Sequence, residues 1–228
     1  MRSIRDNLQA VRGRIARAAQ GCGRDPAGVA LVAVSKTHPA ARLREAWESG
    51  QRAFGESYVQ EALVKMDALA DLAIEWHLVG PLQSNKTRPA AARFAWVHSL
   101  ESERIARRLS EQRPEALAPL NVLLQVNVSG EASKAGVLPA ELASLAAAVA
   151  GMPRLRLRGL MGIPEPGAGR ARYHELRRLY EGLKGGLGMD TLSVGMSGDL
   201  ELAVAEGATL VRIGTAIFGS RSTARTAA

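Results

Sequence analysis

Short apolar runs alternate along this chain with longer stretches in which apolar positions recur every three or four residues. The short runs fall at 29–34, 53–54, 74–79, 95–97, 121–128, 155–161, 191–194 and 209–213. Several are rich in Val, Ile and Leu with few polar interruptions, the pattern of strands buried on both faces. The spacing predicts helices over 40–49, 56–70, 83–92, 102–112, 139–150, 168–183 and 198–206, with a further helix over about 3–19. Strands that alternate with helices point to a parallel α/β sheet. Eight such units in 228 residues suit a single (β/α)8 TIM-like barrel spanning 1–228. An open doubly wound sheet is the runner-up. No stretch reads as an interdomain linker, and 162–169, the loosest segment, reads as a loop.

Composition narrows the classes. One cysteine, Cys22, excludes a disulfide framework within the chain. No apolar run approaches the ~18 residues of a membrane span, and the first residues carry no apolar signal core. A cytoplasmic protein without membrane association is the expectation. The net charge of +8 raises the question of nucleic acid. It comes from 25 arginines and five lysines scattered over the whole chain, and aromatics are only 4%. Scattered arginine without stacking aromatics reads as a solvated surface, so no nucleic-acid partner is expected.

In a barrel of this kind ligands bind at the C-terminal ends of the strands. Polar residues and glycines concentrate there. Lys36 follows the first apolar run; burial at such a position favours the free amine that Schiff-base chemistry requires. After the seventh run come Gly195, Met196, Ser197, Gly198 and Asp199, and after the eighth Gly214 and Thr215. Loops after strands seven and eight form the usual phosphate site of such barrels. A lysine after strand one with a phosphate cradle after strands seven and eight suggests pyridoxal 5′-phosphate (PLP). A sugar-phosphate aldolase would use similar parts, and the residues alone leave that choice open. No pair of histidines has metal-ligand spacing, so no metal is expected.

A set of blocks then resembles one family. They include Val34-Ser35-Lys36-Thr37, Phe54-Gly55-Glu56, Trp76-His77, the run from Gly80 to Lys86, Asn127 to Glu131, Lys134-Ala135-Gly136, Gly159-Leu160-Met161, Gly195 to Leu200 and Arg212 to Gly219. In order, from about Leu31 to Arg221, they are similar to the pyridoxal phosphate homeostasis proteins (the YggS/PROSC family). The resemblance implies a PLP barrel of fold type III, like the N-terminal domain of alanine racemase. It implies PLP on Lys36, phosphate contacts from Ser197, Gly214 and Thr215, and Arg212 facing the pyridine nitrogen. His77 and Met196 are further candidates for the cofactor site. It also implies a carrier or regulator of vitamin B6, affecting amino-acid pools without robust turnover. A PLP-dependent racemase-like enzyme is the alternative. Partners would be PLP itself and PLP-dependent apoenzymes, with the chain a monomer.

Two positions depart from the family pattern. Ser57 stands where an asparagine is usual, and His38 where a second lysine is usual. Arg212 carries a consequence of its own: a guanidinium only donates, so the ring nitrogen would stay unprotonated and the ring would be a weaker electron sink. Racemases of the alanine type draw a tyrosine from a second domain, for which this length leaves no room.

Overall fold

A computed structural model describes residues 3–131, 134–165 and 167–220. Arg221, the last residue of the family-like blocks, residue 166 in the expected loop, and residues 132–133 lie outside these. Eight parallel strands close into a barrel in sequence order. They are β1 (Ala30–Val34), β2 (Ala53–Glu56), β3 (Glu75–Leu78), β4 (Trp96–Leu100), β5 (Leu120–Val126), β6 (Leu155–Gly162), β7 (Thr191–Ser193) and β8 (Leu210–Ile213). The helices are α1 (Ile4–Gly21), α2 (Ala40–Glu48), α3 (Val59–Ala68), α4 (Thr87–Arg93), α5 (Glu103–Gln112), α6 (Leu142–Ala150), α7 (Arg170–Leu187), α8 (Leu200–Ala205) and α9 (Thr215–Phe218). The pairing of β1 with β8, Ala30 opposite Leu210 through Ala33 opposite Ile213, closes the ring and removes the open-sheet alternative.

Alternation along each strand sorts the side chains. Ala33, Phe54, Leu78, Val97, Leu124, Leu160, Leu192 and Val211 point outward into one large core shared with the helices. Their neighbours point into the barrel, where the set is mixed: Trp96, Leu123 and Met161 make a small apolar cluster beside buried His77, His98, Ser193 and Arg212. Branched apolar residues usually fill such interiors; here much of the interior is polar.

Several elements differ from the sequence expectation; α4, α6 and α8 start later, at Thr87, Leu142 and Leu200, and β5 ends at Val126. β4 runs on to Leu100 because His98 and Ser99, polar in sequence, are buried strand residues. α3 begins at Val59 rather than at Glu56, since Glu56 ends β2 and Tyr58 is extended. α9, a single short turn after β8, has no counterpart in the expected elements. Close approach demands glycine at 159, in β6 with φ +153°, where a Cβ would lie 1.8 Å from the carbonyl oxygen of Thr191. The N-terminal helix seals the seam beside α8 and α9. Ser3 caps it with a capping box, and Asn7 Nδ2 donates to Ile217 O at 2.8 Å.

Candidate functional site

Six of the seven candidate residues meet in one cavity at the C-terminal mouth of the barrel. Lys36, Met196, Ser197, Arg212, Gly214 and Thr215 line a space of about 300 Å³ together with Val34, Ser57, Val79, Ile163 and Gly198. His77 is elsewhere. It lines a separate cavity of about 340 Å³ at the opposite mouth, with Glu75, Trp96, Arg158 and Asp190. His77 does sit next to last in β3, but its side chain points into the barrel interior and pairs there with His98 and Glu75, and it is Val79 that reaches the cavity at the C-terminal mouth. Larger hollows lie outside the barrel, one of about 550 Å³ between α2 and α3, but none gathers the candidate residues.

Lys36 is half-buried and held from both sides. On one side Ser35 Oγ donates to Glu56 Oε1 at 2.6 Å. On the other, Thr37 N donates to Glu61 Oε1 at 2.5 Å, and Thr37 has φ +67°, an unusual conformation for a branched residue. Lys65 ties these together. Its Nζ donates to Ser35 O at 2.8 Å, Glu56 Oε1 at 2.7 Å and Glu61 Oε1 at 2.6 Å, which uses all three protons. Glu56 is fully buried and its Oε2 has no hydrogen-bond partner. Burial pushes its carboxyl above the usual range, and the Lys65 charge opposes that shift.

Arg212 forms the floor of the cavity. Nη1 donates to Ser193 Oγ at 2.7 Å and Nη2 to Gly162 O at 3.0 Å. Burial pushes its pKa down to about 10, a value that still leaves it charged at neutral pH. Among the described residues Ser193 and Gly162 are the acceptors its guanidinium meets, and Arg212 lines the cavity.

The cradle is braced from several elements. Ser197 Oγ accepts from Ala216 N at 3.3 Å, joining the loop after β7 to α9. Arg14 of α1 donates to Ser197 O at 3.1 Å while its guanidinium pairs with both oxygens of Glu201 at 2.6 and 2.8 Å. Asp199 accepts from Met196 N at 2.6 Å through Oδ1 and from the Tyr173 hydroxyl at 2.6 Å through Oδ2. Desolvation, then the Asp199 bond, raises the Tyr173 pKa. Gly195, at φ +104°, lets the chain turn against Ala203, whose Cβ would lie 2.5 Å from a Cβ added there. Gly214 lies close against Val34 O, and Gly198 faces open space.

Sequence reasoning missed Lys65, Tyr173 and Arg14. The spacing of Glu61 and Lys65, four residues apart on one helix, was the only local signal. Tyr173 reads as an outer-helix residue, and nothing local shows that its hydroxyl reaches Asp199.

A lysine-bearing parallel barrel with an arginine floor and a glycine- and hydroxyl-lined rim is the class of domain that this fold and site define. The chain belongs to the family of the alanine racemase N-terminal domain, whose model matches residues 6–222. Among its relatives, a pyridoxal phosphate homeostasis protein of Pseudomonas aeruginosa is 61% identical, with 97% of both chains covered. One of Escherichia coli is 53% identical over 97% of this chain and 98% of its own. The solved structure of PipY of Synechococcus elongatus with PLP bound superposes with a TM-score of 0.83 at 38% identity, covering 95% of this chain and all of that one. Alanine racemase from Corynebacterium glutamicum shares the fold at 19% identity and a TM-score of 0.70, this chain matching 63% of its length.

Proposed function

We propose that this chain, as one barrel domain, binds pyridoxal 5′-phosphate at the C-terminal mouth and serves in PLP homeostasis, storing or delivering the cofactor. The single observation that carries this reading is the convergence in one cavity of an amine, a buried guanidinium and a hydroxyl- and amide-lined rim. These residues fit the group. The space accepts a small aromatic phosphate. Gly198 and Gly214 leave the rim without side chains, and the donors match a phosphate at one end and a ring nitrogen at the floor.

Bound PLP supplies an aldehyde that reacts reversibly with an amine. The chain's own residues do the rest. Lys36 Nζ is the amine, held at the mouth by the pinned backbone of Ser35 and Thr37. Ser197, Thr215 and nearby backbone N–H groups would hold the phosphate. Arg212 would donate to the ring nitrogen and leave it unprotonated, because a guanidinium carries no acceptor. A ring so held is a weak electron sink, which suits keeping a cofactor more than transforming a substrate. Ser57 lines the same cavity, so its hydroxyl takes the place of the usual amide.

The racemase reading needs a second acid/base group beside Lys36. No tyrosine lines the cavity: Tyr58 is exposed, Tyr173 holds Asp199, and Tyr180 lies in the core. Delivery to PLP-dependent apoenzymes, action as a monomer and a cytoplasmic location complete the proposal. No helix among the described residues is long and apolar enough to cross a membrane. The test is PLP titration of the purified protein with borohydride fixation and peptide mapping. Label on Lys36, lost in Lys36→Ala, is expected; label elsewhere overturns the assignment. Rapid racemisation in a scan of amino acids would overturn the carrier reading.

A further inference from the structure

A polar thread runs through the barrel interior from one mouth to the other. Glu75 Oε1 meets His77 Nε2 at 2.8 Å, and His77 Nδ1 meets His98 Nε2 at 2.9 Å. His98 Nδ1 meets Ser193 Oγ at 3.1 Å, and Ser193 Oγ accepts from Arg212 at 2.7 Å. Glu75 is half-exposed in the lower cavity. The other four are buried, and Arg212 opens onto the upper cavity.

The two ends fix the direction of every proton. Arg212 can only donate, and ionised Glu75 can only accept. The bond to His77 holds the Glu75 carboxyl below its usual range, and Arg158 lies near enough to add to this. Starting from Arg212, the Ser193 hydroxyl is left to donate to His98 Nδ1. His98 then carries its proton on Nε2 and donates it to His77 Nδ1. His77 in turn carries its proton on Nε2 and donates it to Glu75. Each polar atom finds a partner of the right kind. The reverse arrangement sets a bare His77 nitrogen against a carboxylate and gives Ser193 two donors and no acceptor. Both histidines must be neutral for the forward arrangement. Burial lowers the pKa of each, and His98 also faces His77 and the Arg212 charge. The His77 ring is further locked by stacking on Trp96, with centroids 5.3 Å apart and planes 11° apart.

We propose that Glu75, His77, His98 and Ser193 are positioning residues that act through Arg212, orienting its guanidinium toward the cofactor ring and coupling it to the charge at the opposite mouth. The proposal rests on the reading that Arg212 meets the ring nitrogen. Buried polar networks of this kind are stiff when every member is satisfied, and a donor in the wrong place is costly. The chain thus has one polarity that serves Arg212 and one that does not.

The experiment has two parts. Nitrogen NMR of histidine-labelled, PLP-free protein reads the tautomers, with His38→Gln and His174→Gln used for assignment. His77 and His98 are expected neutral with the proton on Nε2. Finding either on Nδ1, or charged at neutral pH, overturns the proposal. The second part compares Glu75→Gln, which keeps an acceptor oxygen, with Glu75→Lys, which puts a donor at the thread's end. Glu75→Lys is expected to flip both tautomers, to move the absorption band of the bound cofactor, and to weaken its retention roughly tenfold, while Glu75→Gln stays within about twofold. Unchanged tautomers and retention in Glu75→Lys overturn the coupling. Arg212→Lys separates the two claims: if it alters neither band nor retention, the ring-nitrogen reading fails, while the tautomers still decide the thread. If Glu75→Lys does not fold, the wild-type tautomers remain decisive.

Discussion

Replacing Lys65 with methionine removes the ammonium that holds Glu56, Glu61 and Ser35 together. The Lys65 and Glu56 side chains are 6% and 0% exposed, so water cannot take over the contacts. Breaking one partner from a buried ion pair costs about 3–5 kcal/mol, because the other charge stays behind. Glu56 can limit the damage by taking a proton. From an ordinary value of 4.5, protonation at pH 7 spans two and a half pH units and costs about 3.4 kcal/mol at 1.36 kcal/mol per unit. The expected loss is therefore about 3 kcal/mol at pH 7, or roughly 6–12 °C in Tm for a chain of this size. The same reasoning sets a pH signature. A carboxyl with a raised folded pKa favours the protonated folded state, so the penalty vanishes as pH falls toward its unfolded value. At pH 5 the deficit should shrink to about 1 kcal/mol. Adding Glu56→Gln to Lys65→Met should restore most of the stability at pH 7. Paired thermal and urea unfolding at pH 5 and pH 7 measures all of this. A deficit under about 1 kcal/mol at pH 7, or one independent of pH, would refute the electrostatic account and leave only packing. Retention of PLP should fall alongside, because Glu61 would no longer be held against Thr37 N.

Three more outcomes follow from the geometry. Burial lowers the pKa of both His77 and His98, so the unfolded chain binds protons that the native chain refuses; stability should fall below about pH 6.5, by up to ~1.4 kcal/mol per pH unit per histidine, and a flat profile of urea midpoints from pH 7 to pH 5 would contradict this. Tyr173→Phe removes the hydroxyl bond to Asp199 and should cost about 1.5–3 kcal/mol, with weaker phosphate affinity measured by PLP titration; unchanged affinity would mean that the Met196–Asp199 turn needs no support from α7. Gly159→Ala drives a Cβ into Thr191 O and should destabilise by about 3 kcal/mol or more, whereas Gly182→Ala on the open face of α7 should stabilise by about 0.5–1 kcal/mol; equal melting temperatures for the two variants would be the wrong result.

The barrel was legible because strands buried on both faces and amphipathic helices carry different periods, and the two periods alternate without a break. The cavity residues were legible because they sit where strands end, at Lys36, Ser197, Arg212, Gly214 and Thr215, and because the blocks around them resemble one family. His77 was misplaced for a physical reason. Alternation shows that a residue points inward, but its height in the barrel depends on strand tilt and stagger, which a single strand does not encode. His98 and Ser99 were read as a strand end because buried polar residues look like loop residues until their partners are known. Lys65 and Tyr173 act across elements, Lys65 onto Ser35 thirty residues earlier and Tyr173 onto Asp199 twenty-six later, and no local pattern reports such distances.

Arg212 explains why so polar an interior is tolerated. Its pKa, pushed by burial from the usual guanidinium range down to about 10, corresponds to a penalty on the order of 3 kcal/mol for keeping the charged form buried. A lowered value in a base means that the penalty is present at every pH below about 10, including neutral pH. Two bonds, to Ser193 Oγ and Gly162 O, offset part of it. A ring nitrogen with a free lone pair is the kind of acceptor that relieves the rest. On the proposed function, an acceptor bound at the floor of the cavity would be favoured by relief of this penalty. A methionine at 212 would remove both penalty and incentive: the cofactor-free protein should lose little stability, while the gain in Tm on adding PLP should shrink. If Arg212→Met keeps the full PLP-induced gain, the charge plays no part in binding.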